Sequence, residues 1–360
     1  MFMPFIGGGG VEKNLYLISN YFSKKIDNVI ICTISKRPIK KFNKKISFLT
    51  PQVKFSNKIN IRIQYLICLF LLYKFLRKNK NYVVFSFQAN IYCILLCKLL
   101  KIKIIARSNS SPSGWYHNSF KKFIYKRIIS QASEVIVNSF EFKKQMEKRF
   151  NIKTTCILNP LNKNEILKQS KERKSENFFV GKSYAKIINL GRFTEQKDQI
   201  TILKAAKMLR KKIKFKLLII GRGVEKLNLL DYIKKNKLKK FVQIRNFLEN
   251  PYPIIKQSDI FVLSSKYEGL PNVLLEAATL KKFIISTDCP TGPREILSNG
   301  KGGFLFKISD HKELYKKILI YLKNKKKYQK KINFNFNHLF RYDYNKNLEQ
   351  YFLLIEKYII

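Results

Sequence analysis

The sequence SSKYEGLPNVLLEAATLKKFIISTDCPTGPRE, from Ser264 to Glu295, decides how the rest of the chain is interpreted. The apolar run IFVL at 260–263 precedes it and is typical of a buried parallel strand. Pro271 favours the first turn of a helix, because its missing N–H costs nothing there. The pattern predicts a strand, a loop that holds Glu268 and a helix that holds Glu276. Ligands bind at this edge of open α/β sheets, and a helix start attracts anions.

Glu268 and Glu276 stand eight positions apart. Carboxylates accept strong charge-assisted hydrogen bonds from hydroxyls, so this pair can bind a ligand that carries hydroxyl groups. The alternative is a capped helix with Glu268 near its start and Glu276 on a solvated face. The adjoining Gly-Leu-Pro-Asn and the later Thr-Gly-Pro-Arg-Glu favour a binding site.

A second group of charged residues follows the strand predicted within KIINLGRFTEQKD at 186–198. That strand delivers Gly191, Arg192 and Lys197 to the same sheet edge as Glu268. Arginine offers phosphate a planar fork and lysine a point charge. Fixed cations at this edge are therefore suited to bind an anionic ligand. The alternative is two ordinary surface cations in a lysine-rich protein, and the Gly-Arg context favours the site.

Together these motifs resemble the signature of retaining glycosyltransferases of family 4. The resemblance covers nearly the whole chain, most strongly 187–306, and implies an α/β chain of the GT-B fold, with two Rossmann-like parallel-sheet domains facing a central cleft. It implies that Arg192, Lys197 and Glu268 are catalytic: the two cations stabilise the charge that builds on the leaving diphosphate, and Glu268 contacts the donor sugar. It also implies that Glu276 binds ribose. The other donor-binding residues it implies are Gly191, Asn246, Phe247, Leu248, Gly269, Leu270, Pro271 and Asn272.

The chain opens with MFMPFIGGGGVEKNL, which predicts a short strand, a glycine loop and a helix. Gly8, Gly9 and Gly10 let a backbone approach a ligand closely, and in the family this loop faces the cleft. The loop is neither a P-loop nor a dinucleotide fingerprint, and a tight turn remains an alternative.

A polar loop from Arg107 to His117 follows the strand predicted at 102–106. Many relatives carry a histidine near the start of this loop, where this chain has Ser108 and Asn109. Asn109 and His117 are therefore candidates on the acceptor side. The alternative for His117 is that it only stabilises the conformation of this loop.

Composition predicts two domains, since a single core rarely serves a chain of 360 residues. We predict an acceptor-binding domain at 1–165, a polar linker at 166–183 and a nucleotide-sugar domain at 184–340. A helix at 341–360 is expected to cross back to the first domain, as in the family. The apolar helix predicted from Ile61 to Leu76 is expected to pack on the sheet rather than lie on a membrane.

The charge is strongly basic, with 72 Lys+Arg against 23 Asp+Glu, and no acid occurs from 28 to 133. Such a segment attracts polyanions, which include an anionic membrane surface. A coding bias toward Lys, Asn, Ile, Phe and Tyr is an alternative cause. Nucleic acid is not an expected partner, because no recognition module of that class appears.

The six cysteines are scattered without a Cys-x-x-Cys pair, which indicates buried thiols in a reducing compartment. No Asp-x-Asp metal clamp occurs, so we expect neither a metal nor another cofactor. No cleavable signal sequence opens the chain, and its longest apolar run is shorter than the roughly 20 residues of a spanning helix. The expected location is cytoplasmic, peripheral on the inner face of the plasma membrane.

The resemblance implies transfer of a sugar from a nucleotide-diphosphate donor to a membrane-linked glycan. Lipopolysaccharide, O-antigen, capsule and undecaprenyl-diphosphate-linked oligosaccharide are the candidate acceptors. The acid-free interval favours retention of configuration, because inversion requires a general base near the acceptor. The alternatives are a GT-B nucleotide-sugar epimerase and a non-enzymatic polyanion-binding protein.

Overall fold

The computed structural model describes residues 1–34, 41–52, 60–109, 119–172, 177–181 and 183–359. Two compact units make up the chain. The first comprises Met1–Pro160 and Tyr344–Ile360, and the second comprises Leu161–Asp343. The division at Pro160 precedes the boundary that we predicted at 165, and the segment predicted as a linker lies within the second unit.

The first unit alternates short strands with helices. Its strands are β1 (Ile30–Cys32), β2 (Ser47–Leu49), β3 (Val84–Ser86), β4 (Ile104–Arg107), β5 (Glu134–Val137) and β6 (Thr155–Cys156). The helices between them are α1 (Gly10–Phe22), α2 (Ile61–Lys78), α3 (Asn90–Leu99), α4 (Ser119–Ile129) and α5 (Phe140–Phe150). The sequence did not predict β2, because this strand is only partly buried and has no apolar run.

The opening residues join two parallel sheets of the first unit, β1–β2 and β3–β4–β5–β6. Phe2 forms parallel bridges to both Cys32 and Ser86. Its N–H donates to Phe85 O at 2.8 Å, and its carbonyl oxygen accepts from Phe87 N at 2.9 Å. The opening strand is therefore shorter than the sequence predicted.

The second unit follows the same alternation. Its strands are β7 (Ala185–Leu190), β8 (Phe215–Gly221), β9 (Val242–Asn246), β10 (Ile260–Leu263), β11 (Phe283–Thr287) and β12 (Phe304–Phe306). Its helices are α6 (Lys163–Gln169), α7 (Gln199–Leu209), α8 (Lys226–Lys235), α9 (Tyr252–Gln257), α10 (Asn272–Thr279), α11 (Pro293–Ile296), α12 (His311–Lys323) and α13 (Gln329–Asn337). Part of the predicted linker is thus helical, since α6 runs to Gln169.

The second sheet has the parallel strand order β12-β11-β10-β7-β8-β9. The chain proceeds from β7 to one edge and returns through β10 to the other edge. The carboxyl ends of β7 and β10 therefore meet where the strand order reverses, which is the usual ligand position in such sheets. Ile187, Ile219, Val262 and Ile285 are buried in the core of this unit.

The last helix, α14 (Tyr344–Ile359), belongs to the first unit. Leu348, Tyr351 and Ile355 share a buried cluster with Leu15 and Ile18 of α1. Helices α2 to α5 contribute to a different cluster with β3, β4 and β5. The first unit therefore carries helices on both faces of its sheet.

The cysteines carry free thiols, and five of the six are buried as predicted, whereas Cys156 is only partly buried. Cys93 and Cys97 both face the core from α3. Among the helices described, none combines the length and apolar character needed to cross a bilayer.

Candidate active site

Hydrogen bonds tie together the two loops that follow β7 and β10. The N–H of Lys266 donates to Gln196 O at 2.8 Å, and Gln196 Nε2 donates to Tyr267 O at 2.9 Å. Ser264 Oγ donates to Lys197 O at 2.7 Å. These bonds hold the segment that carries Lys197 against the loop after β10.

Lys197 and Glu268 form an ion pair at this edge, with Nζ 2.5 Å from Oε1. Ser265 Oγ donates to the same carboxylate oxygen at 2.5 Å. Only 15% of the Lys197 side chain and 8% of the Glu268 side chain are exposed, so water screens the pair poorly. The predicted phosphate-binding cation and the predicted sugar-binding carboxylate are therefore direct neighbours.

The Thr-Gly-Pro segment after β11 shapes the same loop. Thr291 Oγ1 donates to the main-chain oxygen of Glu268 at 2.5 Å. Gly292 has φ of +76°, and a Cβ atom there would lie 2.0 Å from Gly269 O. Because only glycine fits this position without displacing backbone, the Thr-Gly-Pro segment fixes the path of the Glu-Gly loop.

Helix α10 continues from this loop. It begins at Asn272, and Pro271 is its N-cap, one position before the first turn that we predicted. Leu270 is buried, and Glu276 within the helix is only 6% exposed. Tyr252 OH donates to Glu276 Oε1 at 3.4 Å. The alternative that placed Glu276 on a solvated face is therefore wrong.

Gly191 and Arg192 occupy the turn directly after β7. Arg192 is exposed, and its carbonyl oxygen accepts from Gln199 Nε2 at 2.9 Å. A Cβ atom on Gly221, at the end of β8, would lie 1.9 Å from Gly191 O. The close approach of these two turns fixes the backbone that carries Arg192, while its guanidinium stays accessible to an anion.

Three of the predicted donor-binding residues, Asn246, Phe247 and Leu248, lie at the end of β9. Asn246 is the last residue of that strand, and Lys226 Nζ donates to its Oδ1 at 2.8 Å. Phe247 is 39% exposed, and the Arg222 guanidinium lies 4.9 Å from its ring centroid. Leu248 is partly buried. Phe247 thus offers an exposed aromatic face two strands from β7.

Cys289 lies close to the ion pair. Its burial, and secondarily the negative charge of Glu268, raises the pKa of the Cys289 thiol, while Lys197 lowers it. The thiol is therefore protonated at neutral pH and is a poor nucleophile.

The glycine loop of the first unit is hydrogen-bonded to the helix that follows it, α1. Gly9 is the N-cap of α1, and Gly10 is the first residue of the helix. Glu12 accepts from Gly9 N at 2.9 Å and from Gly7 N at 3.4 Å. Gly8 adopts a positive φ of 95°. The N–H groups of Gly7 and Gly9 are therefore engaged by Glu12.

Asn109 belongs to a buried network around Arg107. We predicted that Arg107 begins a loop, but it is the last residue of β4 and is fully buried. Arg107 Nη1 donates to Asn109 Oδ1, and Nη2 donates to Asn159 Oδ1 at 2.7 Å. Asn109 Nδ2 donates to Phe87 O at 2.7 Å. His117, the other acceptor-side candidate, lies outside the described residues.

Sequence reasoning missed several residues that shape the site, namely Ser265, Thr291 and Gln196. Ser265 lies two residues after the end of β10, and Thr291 lies in the Thr-Gly-Pro motif, so the sequence held a usable signal for both. The sequence held no signal for Gln196, because its contact joins two segments that are distant in sequence.

Across the described ranges, no three His, Cys, Asp or Glu side chains cluster in a way that could hold a metal ion.

Comparison with known families matches most of the second unit. Residues 169–337 match the family described as glycosyl transferases group 1. HepE of Anabaena, solved with UDP-glucose, superposes with a TM-score of 0.81 over 99% of this chain and 98% of HepE, at 14% identity. The chain has the GT-B fold, and most of its second unit matches the glycosyl transferases group 1 family. This confirms the predicted resemblance and fold class, while membership of family 4 and the retaining mechanism stay predictions.

Two relatives of known sequence extend the comparison to both units. An uncharacterized glycosyltransferase of Methanocaldococcus jannaschii is 36% identical over 57% of this chain, a match that spans 53% of that protein's length. A second relative, from Campylobacter jejuni, is 25% identical over 91% of this chain and 90% of its own length. Its name is N-acetylgalactosamine-N,N'-diacetylbacillosaminyl-diphospho-undecaprenol 4-alpha-N-acetylgalactosaminyltransferase.

Proposed function

We propose that this chain transfers a sugar, with retention of configuration, from a nucleotide-diphosphate donor to a membrane-linked glycan. The observation that carries the proposal is the Lys197–Glu268 ion pair, which lies at the carboxyl edge where β7 and β10 meet. A cation and a carboxylate at that edge suit the two halves of such a donor. The cation binds the diphosphate, and the carboxylate binds hydroxyls of the sugar.

Arg192 and Lys197 supply the positive charge for the leaving group. As the bond between sugar and phosphate breaks, negative charge accumulates on the diphosphate, and fixed cations stabilise this charge. Glu268 keeps the Lys197 ammonium oriented before the donor binds, so little reorganisation is needed. Glu268 also presents a carboxylate to the sugar, while Glu276 accepts from ribose hydroxyls.

We infer retention because the first unit offers few carboxylates that could act as a general base. No Asp or Glu occurs from 28 to 133, and Glu12 already accepts from two glycine N–H groups. An inverting enzyme requires a base beside the acceptor hydroxyl. We therefore propose that the departing phosphate takes the acceptor proton. NMR of the new anomeric centre tests this, and an inverted centre would contradict it.

We propose that neither a metal ion nor another cofactor takes part. Arg192 and Lys197 supply the counter-charge that a divalent ion gives in other glycosyltransferases. Activity should therefore survive EDTA. Loss of activity in EDTA, with recovery on addition of magnesium or manganese, would show that this site is incomplete without a metal.

The acceptor class is supported by the Campylobacter relative, whose name describes an undecaprenol diphosphate-linked sugar. We propose an acceptor of that kind, such as an O-antigen, capsule or lipopolysaccharide intermediate, and a peripheral location on the inner face of the plasma membrane. A panel of nucleotide sugars, screened by thermal shift, identifies the donor. Transfer to short undecaprenyl-diphosphate glycans tests the acceptor, and release of altered sugar without an acceptor would indicate an epimerase.

A further inference from the structure

Helices α2, α3 and α4 form a layer on one side of the first unit. α3 contacts both neighbours, and all three bury side chains in the same core cluster. Their outer side carries large exposed apolar residues with exposed fractions from 41% to 75%. We call this the α2–α4 surface; its apolar members are Ile63, Leu66, Phe70, Tyr92, Leu95, Leu99, Phe120, Phe123 and Ile124.

Spacing places these side chains on one stripe of each helix. Leu66 and Phe70 are four residues apart on α2, and Leu95 and Leu99 are four apart on α3. Residues at this spacing lie on the same helical face. Each helix buries its opposite face in the core, so each has a second apolar face that is exposed. Clusters of large exposed apolar side chains mark interaction sites in soluble proteins.

The charged side chains of α2, α3 and α4 are all basic. The three helices contain nine Lys or Arg, four in α2, one in α3 and four in α4, and they contain no Asp or Glu. The Lys74 ammonium lies 4.7 Å from the Phe70 ring centroid. The Arg127 guanidinium lies 5.4 Å from the Phe123 ring centroid. These cations therefore stand beside the aromatic residues of the stripes.

A coding bias does not explain this arrangement, because the next helix on the same side differs. α5 contains Glu141 and Glu147, and Lys143 pairs with Glu147 at 3.7 Å. Phe140 is the large apolar residue that α5 exposes among those described. Apolar stripes and single-signed charge thus coincide on α2, α3 and α4.

We propose that the α2–α4 surface binds an anionic phospholipid bilayer. Interfacial helices bury apolar side chains at the headgroup boundary and place Lys and Arg beside lipid phosphates, as these helices can. A second copy of the chain is a poor occupant, because a symmetric contact would bring two cationic surfaces together. Nucleic acid would leave the aliphatic residues without a partner. The inference rests on the peripheral location proposed above and names its surface, but lipid binding needs no sugar donor, so its failure would leave the proposed transfer reaction standing.

Co-sedimentation of the full chain with vesicles tests the proposal. We expect binding to phosphatidylcholine vesicles that contain phosphatidylglycerol, weakened by salt, and little binding to phosphatidylcholine alone. The triple variant Leu66→Ser, Phe70→Ser and Phe123→Ser should reduce the partition coefficient about tenfold or more. Its matched control changes apolar residues that are exposed elsewhere and should bind within about twofold of the wild type; the control is Leu227→Ser, Leu230→Ser and Leu353→Ser.

A charge series separates the electrostatic contribution. Lys74→Gln, Lys121→Gln and Lys122→Gln should also reduce binding about tenfold, because three attractive charges are lost near the headgroups. The control neutralises three exposed lysines of the second unit, Lys204, Lys207 and Lys234, and should bind within about twofold of the wild type. Equal losses in the two charge variants would show a general polyanion effect and would overturn the proposal.

A fluorescence measurement covers the possibility that a triple variant folds poorly. In a Trp115→Phe background, Phe70→Trp should shift its emission to the blue on anionic vesicles, whereas Leu227→Trp should not. An unshifted Phe70→Trp would overturn the proposal. So would heparin binding that equals vesicle binding and ignores the serine changes, or a dimer in sedimentation velocity that those changes dissociate.

Discussion

The Nζ atom of Lys197 lies 2.5 Å from Oε1 of Glu268, in an ion pair that joins segments 71 residues apart in sequence. Both side chains are largely buried, and Ser265 adds a second donor to the same oxygen. Breaking a buried pair by removing one partner is costly, because the other charge is left desolvated. The pair therefore links the stability of the second unit to its proposed chemistry.

Glu268→Gln should lower both the free energy of unfolding and the rate of sugar transfer. We expect a loss of about 3 kcal/mol in stability, since Lys197 would remain buried without its counter-charge. Adding Lys197→Met should restore part of that stability without restoring activity. The exposed pair Asp231–Lys235 is the control, and Asp231→Asn should cost less than about 0.5 kcal/mol in urea unfolding. Equal costs at the two sites would contradict the argument.

Arg192→Ala should affect catalysis far more than folding. The side chain is exposed, so we expect little change in Tm. We expect kcat to fall about 100-fold, because a fixed cation at a developing anion contributes on that scale. Lys207→Ala, an exposed cation on α7, is the control and should leave kcat unchanged. An unchanged kcat in Arg192→Ala would remove this residue from the proposed site.

Gly292→Ala should distort the loop that holds Glu268. A Cβ atom would lie 2.0 Å from Gly269 O, and φ is already positive at +76°. Gly300→Ala is the matched control, because its φ is +88° but the nearest atom to a Cβ lies 3.9 Å away. Gly300→Ala should cost about 1 kcal/mol through backbone strain, and Gly292→Ala should cost more, because the backbone around Gly269 must also shift. Only Gly292→Ala should also lower donor affinity, measured by calorimetry, and equal donor affinities would contradict the packing argument.

The second unit could be predicted well from sequence because its signals are local. The apolar run before Glu268, the Gly-Arg pair after β7 and the Thr-Gly-Pro segment each mark a strand that ends at one edge. The burial of Glu276 and the direct contact of Lys197 with Glu268 were not predicted. Both depend on which strands become neighbours, and the order β10-β7 joins segments that are distant in sequence.

The first unit was harder to predict for the same physical reason. Arg107 sits in a polar sequence and was expected in a loop, yet it is buried in β4. Its partners Asn159 and Tyr351 come from distant parts of the chain, so no local pattern indicates the network. The exposed stripes of α2 to α4 also escaped prediction, because a hydrophobic helix does not reveal from sequence which of its faces the sheet covers.

Lys282 should make stability depend on pH. Its burial lowers the pKa of its ammonium to about 8, against 10.5 for the free side chain, while Nζ donates to the carbonyl oxygens of Lys256 and Ser258. Between these two values the unfolded chain binds one proton more than the folded chain, so stability rises with pH. Below about pH 8 the charge is present in both states, and the folded state bears its desolvation cost.

The measurement is the difference in unfolding free energy between wild type and Lys282→Met. Between pH 8 and 10.5, the unfolding free energy of the wild type should rise relative to that of Lys282→Met by on the order of 1–3 kcal/mol. Lys281→Met, at the exposed neighbouring position, should show no such shift. A difference that stays constant with pH would mean that the Lys282 pKa is not lowered.

Tyr351→Phe should destabilise the first unit through Arg107. Tyr351 OH accepts from Arg107 Nε at 3.0 Å, and both side chains are fully buried. Without the hydroxyl, a buried charged donor loses its partner, which costs about 1–3 kcal/mol. Tyr358→Phe in the same helix is the control. Its partly buried hydroxyl lies 3.2 Å from Ser133 O and 3.3 Å from Glu134 Oε2, and water can replace it beside both acceptors. The two variants are compared by urea unfolding, and equal costs would show that Arg107 does not depend on Tyr351.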